Sequence, residues 1–438
     1  MASTLDLDFA PAFDALADTE PRRPGGRVTD VVGLVVEATG PAAPVGALCE
    51  ITTAGASIAA EVVGFRDRRA LLMPLGPLAG VGPGNRVRLA RTQPTVAVGE
   101  GLLGRVLDGL GAPLDGRGPV APAVRYPLYG VPMNPLEREP ITEPLDLGVR
   151  AVNALLTCGR GQRLGIFAGS GVGKSALLGM MARYTRAQVN VIAMVGERGR
   201  EVRHFLERDL GPDGLARSVV VAATSDQPAL VRMRGAFLAT TIAEYFRDQG
   251  LDVLLLMDSL TRVAMAQREI GLSIGEPPSA RGYTPSVFTV MPRLLERAGR
   301  SRKGSITGLY TVLVEGDDMN EPVADTARAI LDGHVVLSRR LAADGLFPAI
   351  DVLASISRVM LDVTDTLQQT AAQRVRSWLA TYRDAEDLIQ IGAYTRGASP
   401  VIDDAVARIP AVTQFMRQPL DEPASLSDSA AALAALAR

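Results

Sequence analysis

The spacing of hydrophobic and polar positions changes twice along the chain and separates three regions. Residues 28–97 contain short β-branched runs, such as 31–36 and 60–63, that alternate with Gly, Pro and Asp turns. Residues 151–350 alternate apolar strand-like runs with helix-length segments, and residues 365–438 keep helical spacing without such runs. The pattern predicts an N-terminal β domain, a central α/β domain and a C-terminal helical domain.

Two of these regions have a more specific prediction. About six short strands in the first region favour a small closed β-barrel. In the central region we expect a mostly parallel sheet with helices on both faces. Its strands are predicted over residues 189–195, 219–223, 253–257, 307–314 and 334–338, with a helix over 230–246.

The remaining segments are less regular. Residues 98–150 are rich in turn residues and are predicted to be a connector laid against the central domain. In the N-terminal tail, apolar residues at helical spacing fit either a frayed end or a short helix that binds a partner. These residues are Leu5, Phe9, Phe13 and Leu16. The predicted boundaries give the domains 1–27, 28–97, 98–364 and 365–438.

The helical spacing of the C-terminal region contains one long apolar stripe. We interpret this stripe as core packing of an amphipathic helix rather than as a ligand site. Its members are Leu367, Ala371, Val375, Trp378 and Leu379.

Composition narrows the possible functions. The 438 residues are 47% hydrophobic and 21% charged, as in an ordinary soluble protein. The net charge of −2 argues against a nucleic-acid binder that relies on bulk charge, while a local basic lining stays compatible with it. Two distant cysteines, two isolated histidines and the lack of an apolar run of about 18 residues argue against a disulfide framework, a zinc site and a membrane span. With an acidic N-terminus, these features favour a cytoplasmic protein.

The most specific motif is the octapeptide Ala-Gly-Ser-Gly-Val-Gly-Lys-Ser at residues 168–175. It follows an apolar strand-like run at 164–167 and leads into a helix-like run. A glycine-rich turn between strand and helix, closed by Lys-Ser, is typical of the P-loop, whose backbone N–H groups cradle phosphate. The predicted cradle consists of Gly169, Ser170, Gly171, Val172 and Gly173.

The last two residues of the motif predict the cofactors ATP and Mg²⁺. Lys174 is expected to reach the β- and γ-phosphates, and the Ser175 hydroxyl is expected to ligate the metal. Ala168 replaces the usual first glycine. Because only the later glycines must approach phosphate closely, we expect this change to be tolerated.

Two carboxylates follow predicted strands. Asp258 ends the apolar run 254–257, where a P-loop enzyme needs an acid to hold the Mg²⁺ shell, although any buried strand can end in Asp. Glu197 follows the strand 189–195 and is placed either to polarise an attacking water or to favour a helix start. Glu201 is interpreted as a solvated helix charge.

Arg358 is a lone charge in the small-apolar context Ser-Ile-Ser-Arg-Val, after the last predicted strand. One interpretation is a salt-bridged surface residue. The other is an arginine finger, which stabilises transition-state charge at the site of a neighbouring subunit.

Together these segments resemble the catalytic subunits of rotary ATP synthases and their relatives. The resemblance covers roughly residues 28–420, and a co-linear motif set of this length rarely arises by chance. The segments that carry it, besides the P-loop, are GER at 196–198, DSLTR at 258–262, GEPPSARGYTPS at 275–286, LGRVLD at 103–108, PLDG at 113–116 and SIT at 305–307.

Within that family, the chain is most similar to the flagellum-specific ATPases of the type III export apparatus. The segments that match are EPLDLGVRAVN at 143–153, GRGQRLGIF at 159–167, DDMNEP at 317–322 and LIQIGAY at 388–394. Virulence-type secretion ATPases share the same chemistry and stay open as an alternative.

The resemblance implies a hexameric ring with active sites between subunits. Lys174 and Ser175 would hold phosphate and Mg²⁺, Glu197 would be the catalytic carboxylate, and Asp258 would support the metal. The other implied roles are phosphate-side or coupling contacts for Arg198 and Arg262, the arginine finger for Arg358, adenine stacking for Phe347 and a cover on the other ring face for Tyr394.

The resemblance also implies a cellular setting. The partners would be a flagellar export regulator, stalk-like proteins, the export gate, and export substrates with their chaperones. The ring would be cytoplasmic and peripheral at the inner-membrane export apparatus, without a specific nucleic acid.

Two further classes compete with this function. A non-catalytic nucleotide-binding ring subunit is disfavoured because both Lys174 and Glu197 are present. An RNA-translocating hexameric helicase is disfavoured by the low net charge and by the lack of an aromatic RNA-binding surface in the N-terminal barrel.

Overall fold

The computed structural model describes residues 25–120, 124–314, 316 and 318–438. The apolar helical spacing at 5–16 therefore lies outside the described residues. The chain divides into two compact units, one ending at Pro94 and the other spanning Thr95–Arg438.

The first unit is a closed barrel of six strands, as the alternating runs predicted. Its antiparallel strands close in the order β1-β2-β5-β4-β3-β6. Small aliphatic side chains such as Val36, Ile51 and Val62 are fully buried in one cluster and fill its interior. The strands are β1 (Gly25–Val32), β2 (Val35–Ala38), β3 (Leu48–Thr52), β4 (Ser57–Arg66), β5 (Arg69–Pro74) and β6 (Arg86–Arg91).

The second unit is built on a sheet of nine described strands. Its order is β17-β16-β10-β15-β13-β11-β12-β8, with the short β14 paired to β15. All pairings are parallel except β16 with β17 and β14 with β15. In chain order the strands of this unit are β7 (Thr95–Val98), β8 (Val106–Asp108), β9 (Val124–Pro127), β10 (Arg163–Ala168), β11 (Val189–Val195), β12 (Ser218–Ala223), β13 (Asp252–Asp258), β14 (Gly299–Arg300), β15 (Ser305–Leu313), β16 (Gly333–Leu337) and β17 (Ile350–Ser357).

Helices connect the strands and form the C-terminal region. They are α1 (Arg150–Leu155), α2 (Lys174–Tyr184), α3 (Gly199–His204), α4 (Gly211–Ala216), α5 (Ala229–Asp248), α6 (Leu260–Ser273), α7 (Pro285–Leu295), α8 (Pro322–Ile330), α9 (Arg339–Ala343), α10 (Met360–Val363), α11 (Thr366–Gln390), α12 (Pro400–Met416) and α13 (Leu426–Leu436). Among the described helices, none combines the length and apolarity that crossing a bilayer requires.

The sheet is buried on both faces. In β13, Leu254 and Leu256 belong to the core cluster that includes α2 and the C-terminal helices. Leu255 is equally buried but lies outside that cluster, since successive side chains of a strand point to opposite faces. Helix α5 contacts β11, β12 and β13 and covers this second face. The continuous apolar run of β13 reflects this double burial.

The connector and the helical stripe differ from the predictions in two places. Val106–Asp108, inside the predicted connector, is the edge strand β8 of the large sheet, too short to give a periodic signal. Leu367 is 79% exposed and does not belong to the core, because in the first turn of α11 it is Gln368, and not Leu367, that faces residues 153–157. Ala371, Val375 and Trp378 are buried as predicted.

The first domain boundary also differs in detail. The strand Thr95–Val98 pairs antiparallel with Val124–Pro127 instead of joining the barrel. The barrel strands end at Arg91. This pair of strands therefore belongs to the second unit, which begins at Thr95.

Candidate functional site

The P-loop lies at the centre of the large sheet. Strand β10, which is hydrogen-bonded to β15 on one side and β16 on the other, ends at Ala168. The following turn contains Gly171 and Gly173 at φ of +80° and +89°, a conformation that L side chains rarely adopt. Helix α2 then begins at Lys174 without an acidic residue in its first turn. The free N–H groups of this helix start therefore face an anion site.

A cavity of about 750 Å³ opens in front of this turn. Its walls come from the P-loop and from the carboxyl ends of neighbouring strands, as expected for ligand sites in parallel sheets. Outside the P-loop, the polar side chains that line it are Glu197, Arg198, Glu201, Ser225, Arg262 and Arg339.

Three charged side chains meet at the mouth of the P-loop. Lys174 Nζ forms an ion pair with Asp258 and lies 3.6 Å from Glu197 Oε1. The three side chains are only 13%, 7% and 12% exposed, in the order Lys174, Asp258, Glu197. The register of β11 and β13 produces this cluster, because Met194 stands opposite Asp258 and Glu197 follows just beyond the end of β11.

Thr311 holds the Asp258 carboxylate from the other side. Its hydroxyl donates a hydrogen bond of 2.7 Å to Asp258 Oδ1. Thr311 is fully buried in β15, the other neighbour of β13. Lys174 and Thr311 thus both donate to the same carboxylate oxygen of Asp258.

Burial raises the pKa of the Glu197 carboxyl to about 7. A hydrogen bond with Glu201 and the negative charge of Asp258 act in the same direction, whereas Lys174 opposes them. The same hydrogen bond lowers the pKa of Glu201. Near neutral pH the shared proton therefore resides on Glu197, and Glu201 is the anion. A carboxyl that titrates near neutral pH is suited to act as a general base.

The two predicted phosphate-side arginines differ in their surroundings. Arg262 lies on α6 beside Gly196, where an added Cβ would stand 2.9 Å from its Cβ. Its Nε is buried without a hydrogen-bond partner among the described residues. Arg198 precedes α3, and its side chain is 82% exposed. Both arginines line the cavity. The Nε of Arg262 is an unsatisfied donor that can form a hydrogen bond with an anion.

Of the two predicted adenine contacts, the structure brings one to the P-loop. A Cβ added to Gly173 would stand 3.5 Å from the ring carbons of Phe347, and the ring is 41% exposed. Tyr394 instead donates hydrogen bonds to Asp403 Oδ1 and Ser399 O within the helical region. Neither Tyr394 nor Phe347 is among the residues that line the cavity, and Phe347 is the one that lies beside the P-loop.

Arg358 lies away from the cavity of its own chain. It is an exposed residue just after β17, which forms one edge of the described sheet. Its backbone N–H donates to Asp332 O, and a guanidinium nitrogen donates to Arg328 O at 3.1 Å. No salt bridge of Arg358 occurs within the described part of the chain, so the surface ion-pair interpretation is not supported there.

Family models match most of the chain. The nucleotide-binding domain of the ATP synthase alpha/beta family matches residues 148–357, and the beta-barrel domain of the same family matches residues 28–90. The C-terminal domain of the type III secretion ATPase EscN matches residues 364–435. The chain belongs to the ATP synthase alpha/beta family, among its type III secretion ATPases.

Individual type III secretion ATPases are similar over nearly their whole length. The flagellum-specific ATP synthase of Bacillus subtilis is 55% identical over 97% of this chain and 98% of its own length. The type 3 secretion system ATPase of Xanthomonas euvesicatoria is 52% identical over 91% of this chain and 90% of its own length. The resemblance seen in the sequence is therefore confirmed, and the chain is an ATPase.

Solved structures of the family share the fold. The assembled ATPase EscN from the type III secretion system of enteropathogenic E. coli aligns with a TM-score of 0.90 and 44% identity, over 94% of this chain and 100% of that chain. The same ATPase in complex with its central stalk EscO aligns with a TM-score of 0.87 and 43% identity, again over 94% of this chain and 100% of that chain. The predicted barrel, P-loop domain and helical domain are confirmed.

Three polar residues that line the cavity, and Thr311 beside Asp258, were not predicted as site residues. Glu201 was interpreted as solvated, but it lines the cavity and contacts Glu197, which lies four residues earlier, just before α3. That spacing was the signal available in the sequence. Ser225 and Arg339 follow strands β12 and β16, and Thr311 lies inside β15. Only the strand order places these three near the P-loop.

Proposed function

We propose that this type III secretion ATPase hydrolyses ATP as a ring of six copies and that the hydrolysis energises flagellar protein export. The observation that carries the proposal is the cluster of Lys174, Asp258 and Glu197 at the mouth of the P-loop. It combines a phosphate-binding cation, a carboxylate fixed at a strand end and a second carboxyl with a pKa near neutral.

The residues of the cavity fit a nucleoside triphosphate. The N–H groups at the start of α2 and the Lys174 ammonium offer donors to the phosphates. The buried Nε of Arg262 has no partner within the described residues and supplies another donor. Beside Gly173, the partly exposed Phe347 would provide a surface for the base.

The same residues fit Mg²⁺ only together with the phosphates. Among the described residues, no group of three acidic, histidine or cysteine side chains could hold a metal ion. Ser175 and Asp258 supply oxygen atoms suited to this hard cation, and the nucleotide would supply the others. When bound, the metal neutralises charge that develops on the phosphates during transfer.

Glu197 would accept the proton of the attacking water. It must be ionised to do so, and its low exposure keeps bulk water from competing for its proton. Lys174 would move from Asp258 and Glu197 to the phosphates when nucleotide binds, because phosphate oxygens offer it a stronger charge partner. Release of this ammonium from Asp258 leaves that carboxylate available to the metal shell.

Arg358 would complete the site of a neighbouring copy. It is exposed at the edge of the sheet and lies outside the cavity of its own chain. The assembled state of the similar ATPase EscN supports a ring, and an arginine supplied in trans is a known way to stabilise phosphoryl-transfer charge.

The flagellar assignment and the partners belong to the same proposal. The relative with 55% identity is a flagellum-specific ATP synthase, and the one with 52% identity serves a type 3 secretion system. We propose a stalk-like partner, an export regulator, the export gate and chaperoned export substrates, with the ring peripheral at the inner-membrane export apparatus. Deletion of the gene in its host should abolish flagella. If flagella persist and an injectisome fails instead, the virulence-type function is correct.

Replacement of Glu197 tests the chemistry. Glu197→Gln should retain ATP binding and lose hydrolysis by about 10²–10⁴-fold, because an amide cannot accept the proton of the water. The matched control is Glu207→Gln, whose side chain is 60% exposed and paired with Arg203. Both variants are compared by nucleotide binding and by phosphate release at saturating ATP.

Three outcomes would contradict this function. Hydrolysis by Glu197→Gln at the parent rate would show that another group is the base. A parent protein that binds ATP but releases no phosphate would favour the non-catalytic ring subunit. Strong stimulation of hydrolysis by RNA would favour the helicase.

A further inference from the structure

Gln418 lies between the nucleotide cavity and the C-terminal helices. Its backbone N–H donates a hydrogen bond of 3.0 Å to Phe347 O. The Phe347 ring lies against Gly173 of the P-loop. Gln418 itself is only 2% exposed, so this contact is shielded from solvent.

The Gln418 side-chain amide forms three hydrogen bonds. Its Nε2 donates to Gly148 O at 2.9 Å and to Glu422 O at 2.6 Å. Its Oε1 accepts from the N–H of Arg150 at 2.7 Å. Arg150 is the first residue of α1, whose own N-cap residue provides no side-chain hydrogen bond. Gln418 therefore replaces the missing cap from a distant part of the sequence.

Helix α2, which follows the P-loop turn, contacts the segment between α12 and α13 that contains Gln418. Arg183 and Tyr184, at the end of α2, both donate hydrogen bonds to Leu420 O, at 2.6 Å and 3.1 Å. Helix α2 begins with Lys174. The segment that joins α12 to α13 thus contacts both the loop that carries Phe347 and the helix that carries the phosphate cradle.

The hydrogen bond to Phe347 O depends on the position of the Gln418 backbone. The donor to Phe347 O is a backbone group, and the amide side chain fixes that backbone to residues 148–150. A buried amide with all its donors and acceptors satisfied restricts motion more than an apolar side chain does. Loss of the amide would free the Phe347 loop while leaving the P-loop turn itself unchanged.

We propose that Gln418 is a positioning residue that holds Phe347 at the nucleotide base and thereby connects the C-terminal helices to ATP affinity. The proposal rests on the proposed role of Phe347 as a base contact. It predicts that Gln418 affects recognition of the base and not of the triphosphate.

The test replaces Gln418 by Met, which keeps the volume and removes every hydrogen bond of the side chain. The KM for ATP should rise about tenfold with kcat within about twofold, because ground-state and transition-state binding are lost equally. The inhibition constant of inorganic tripolyphosphate, which has no base, should not change. Gln414→Met, an exposed glutamine four residues earlier on α12, is the matched control and should match the parent.

A double-mutant cycle with Phe347→Ala separates the possible outcomes. Phe347→Ala should raise the KM for ATP, and Gln418→Met should add nothing in that background, since the positioned ring is gone. Additive effects, or a tripolyphosphate constant that rises with KM, would refute the positioning role. An unchanged KM in Phe347→Ala would instead refute the base contact, and the inference with it. A normal Phe347→Ala effect with a silent Gln418→Met would refute the inference alone.

A second variant covers the case in which Gln418→Met does not fold. Gln418→Glu keeps an acceptor for the Arg150 N–H and replaces the donor to Gly148 and Glu422 by a carboxyl oxygen that faces their carbonyl groups. Thermal melting followed by circular dichroism identifies which variant is folded, and the same kinetic measurements apply to it. A folded Gln418→Glu with unchanged KM for ATP would overturn the proposal.

Discussion

The pH dependence of hydrolysis should report the contact between Glu197 and Glu201. Glu197 must be ionised to accept a proton, and burial raises its pKa to about 7. The free-enzyme kcat/KM should therefore be level above pH 7 and fall about tenfold for each pH unit below it. The structure attributes part of this raised pKa to Glu201, whose carboxylate accepts the proton that Glu197 shares.

Replacement of Glu201 by Gln removes that charge. A hydrogen bond to a charged group contributes about 1.5–3 kcal/mol when it is buried. The Glu201 side chain is 49% exposed, so solvent screens roughly half of this energy. About 0.8–1.5 kcal/mol remains, which corresponds to a change of about half a unit to one unit in the pKa of Glu197. The sign is downward, because the variant no longer stabilises the protonated form of Glu197.

The assay is the pH profile of kcat/KM from pH 5 to 9 at constant ionic strength and saturating Mg²⁺. The acidic limb of Glu201→Gln should lie about half a pH unit to one pH unit below that of the parent. Glu207→Gln, whose side chain is 60% exposed, should keep the parent limb. An acidic limb that stays near pH 7 in Glu201→Gln would refute the argument that the carboxyl pair sets the proton affinity of the base.

Two further substitutions test a support of the site and a buried ion pair outside it. Thr311→Val removes the 2.7 Å hydrogen bond to Asp258. A metal titration should show that the Mg²⁺ concentration needed for half-maximal hydrolysis rises about tenfold. An unchanged titration would show that Asp258 needs no orienting donor. Arg297→Met leaves Glu244 buried without the cation that it contacts at 2.8 Å, and chemical denaturation should show a loss of about 3–5 kcal/mol. Arg302→Met, at a side chain that is 79% exposed, is the control and should change stability by less than about 0.5 kcal/mol. A similar loss in both variants would refute the buried-charge argument.

Elements with strong local signals were predictable from the sequence. The strand 189–195 was predicted with both of its ends, because a β-branched run buried on both faces is bounded by polar turns. The P-loop followed from its glycines and from the Lys-Ser pair. Asp258 followed from the position of a carboxylate at the end of an apolar strand.

Features that depend on strand order were not predictable in the same way. In the sequence, Thr311 is an ordinary β-branched strand residue. Only the pairing of β15 with β13 brings it to Asp258. The edge strand β8 is three residues long and carries no periodicity. Glu201 looked like a solvent-exposed helix charge, and only the depth of Glu197 in the cavity gives it a partner.

Contacts of the C-terminal segment were hidden for a related reason. Gln418 lies 71 residues after Phe347 in the printed sequence, and the contact between them is a backbone hydrogen bond. No side-chain pattern encodes such a bond. Tyr394 was assigned by resemblance alone, and its hydroxyl is instead engaged by Asp403.

The central claim is that each active site combines Glu197 of one copy with Arg358 of the next. Mixing two inactive variants tests it most directly. Glu197→Gln and Arg358→Ala chains are combined in equal amounts under conditions that allow subunit exchange, and phosphate release is measured. In randomly mixed rings about a quarter of the interfaces would pair an intact Glu197 with an intact Arg358. Activity should return to about a quarter of the parent level, since each such interface is a complete site. Mixed chains that exchange and stay as inactive as either variant alone would contradict a shared site.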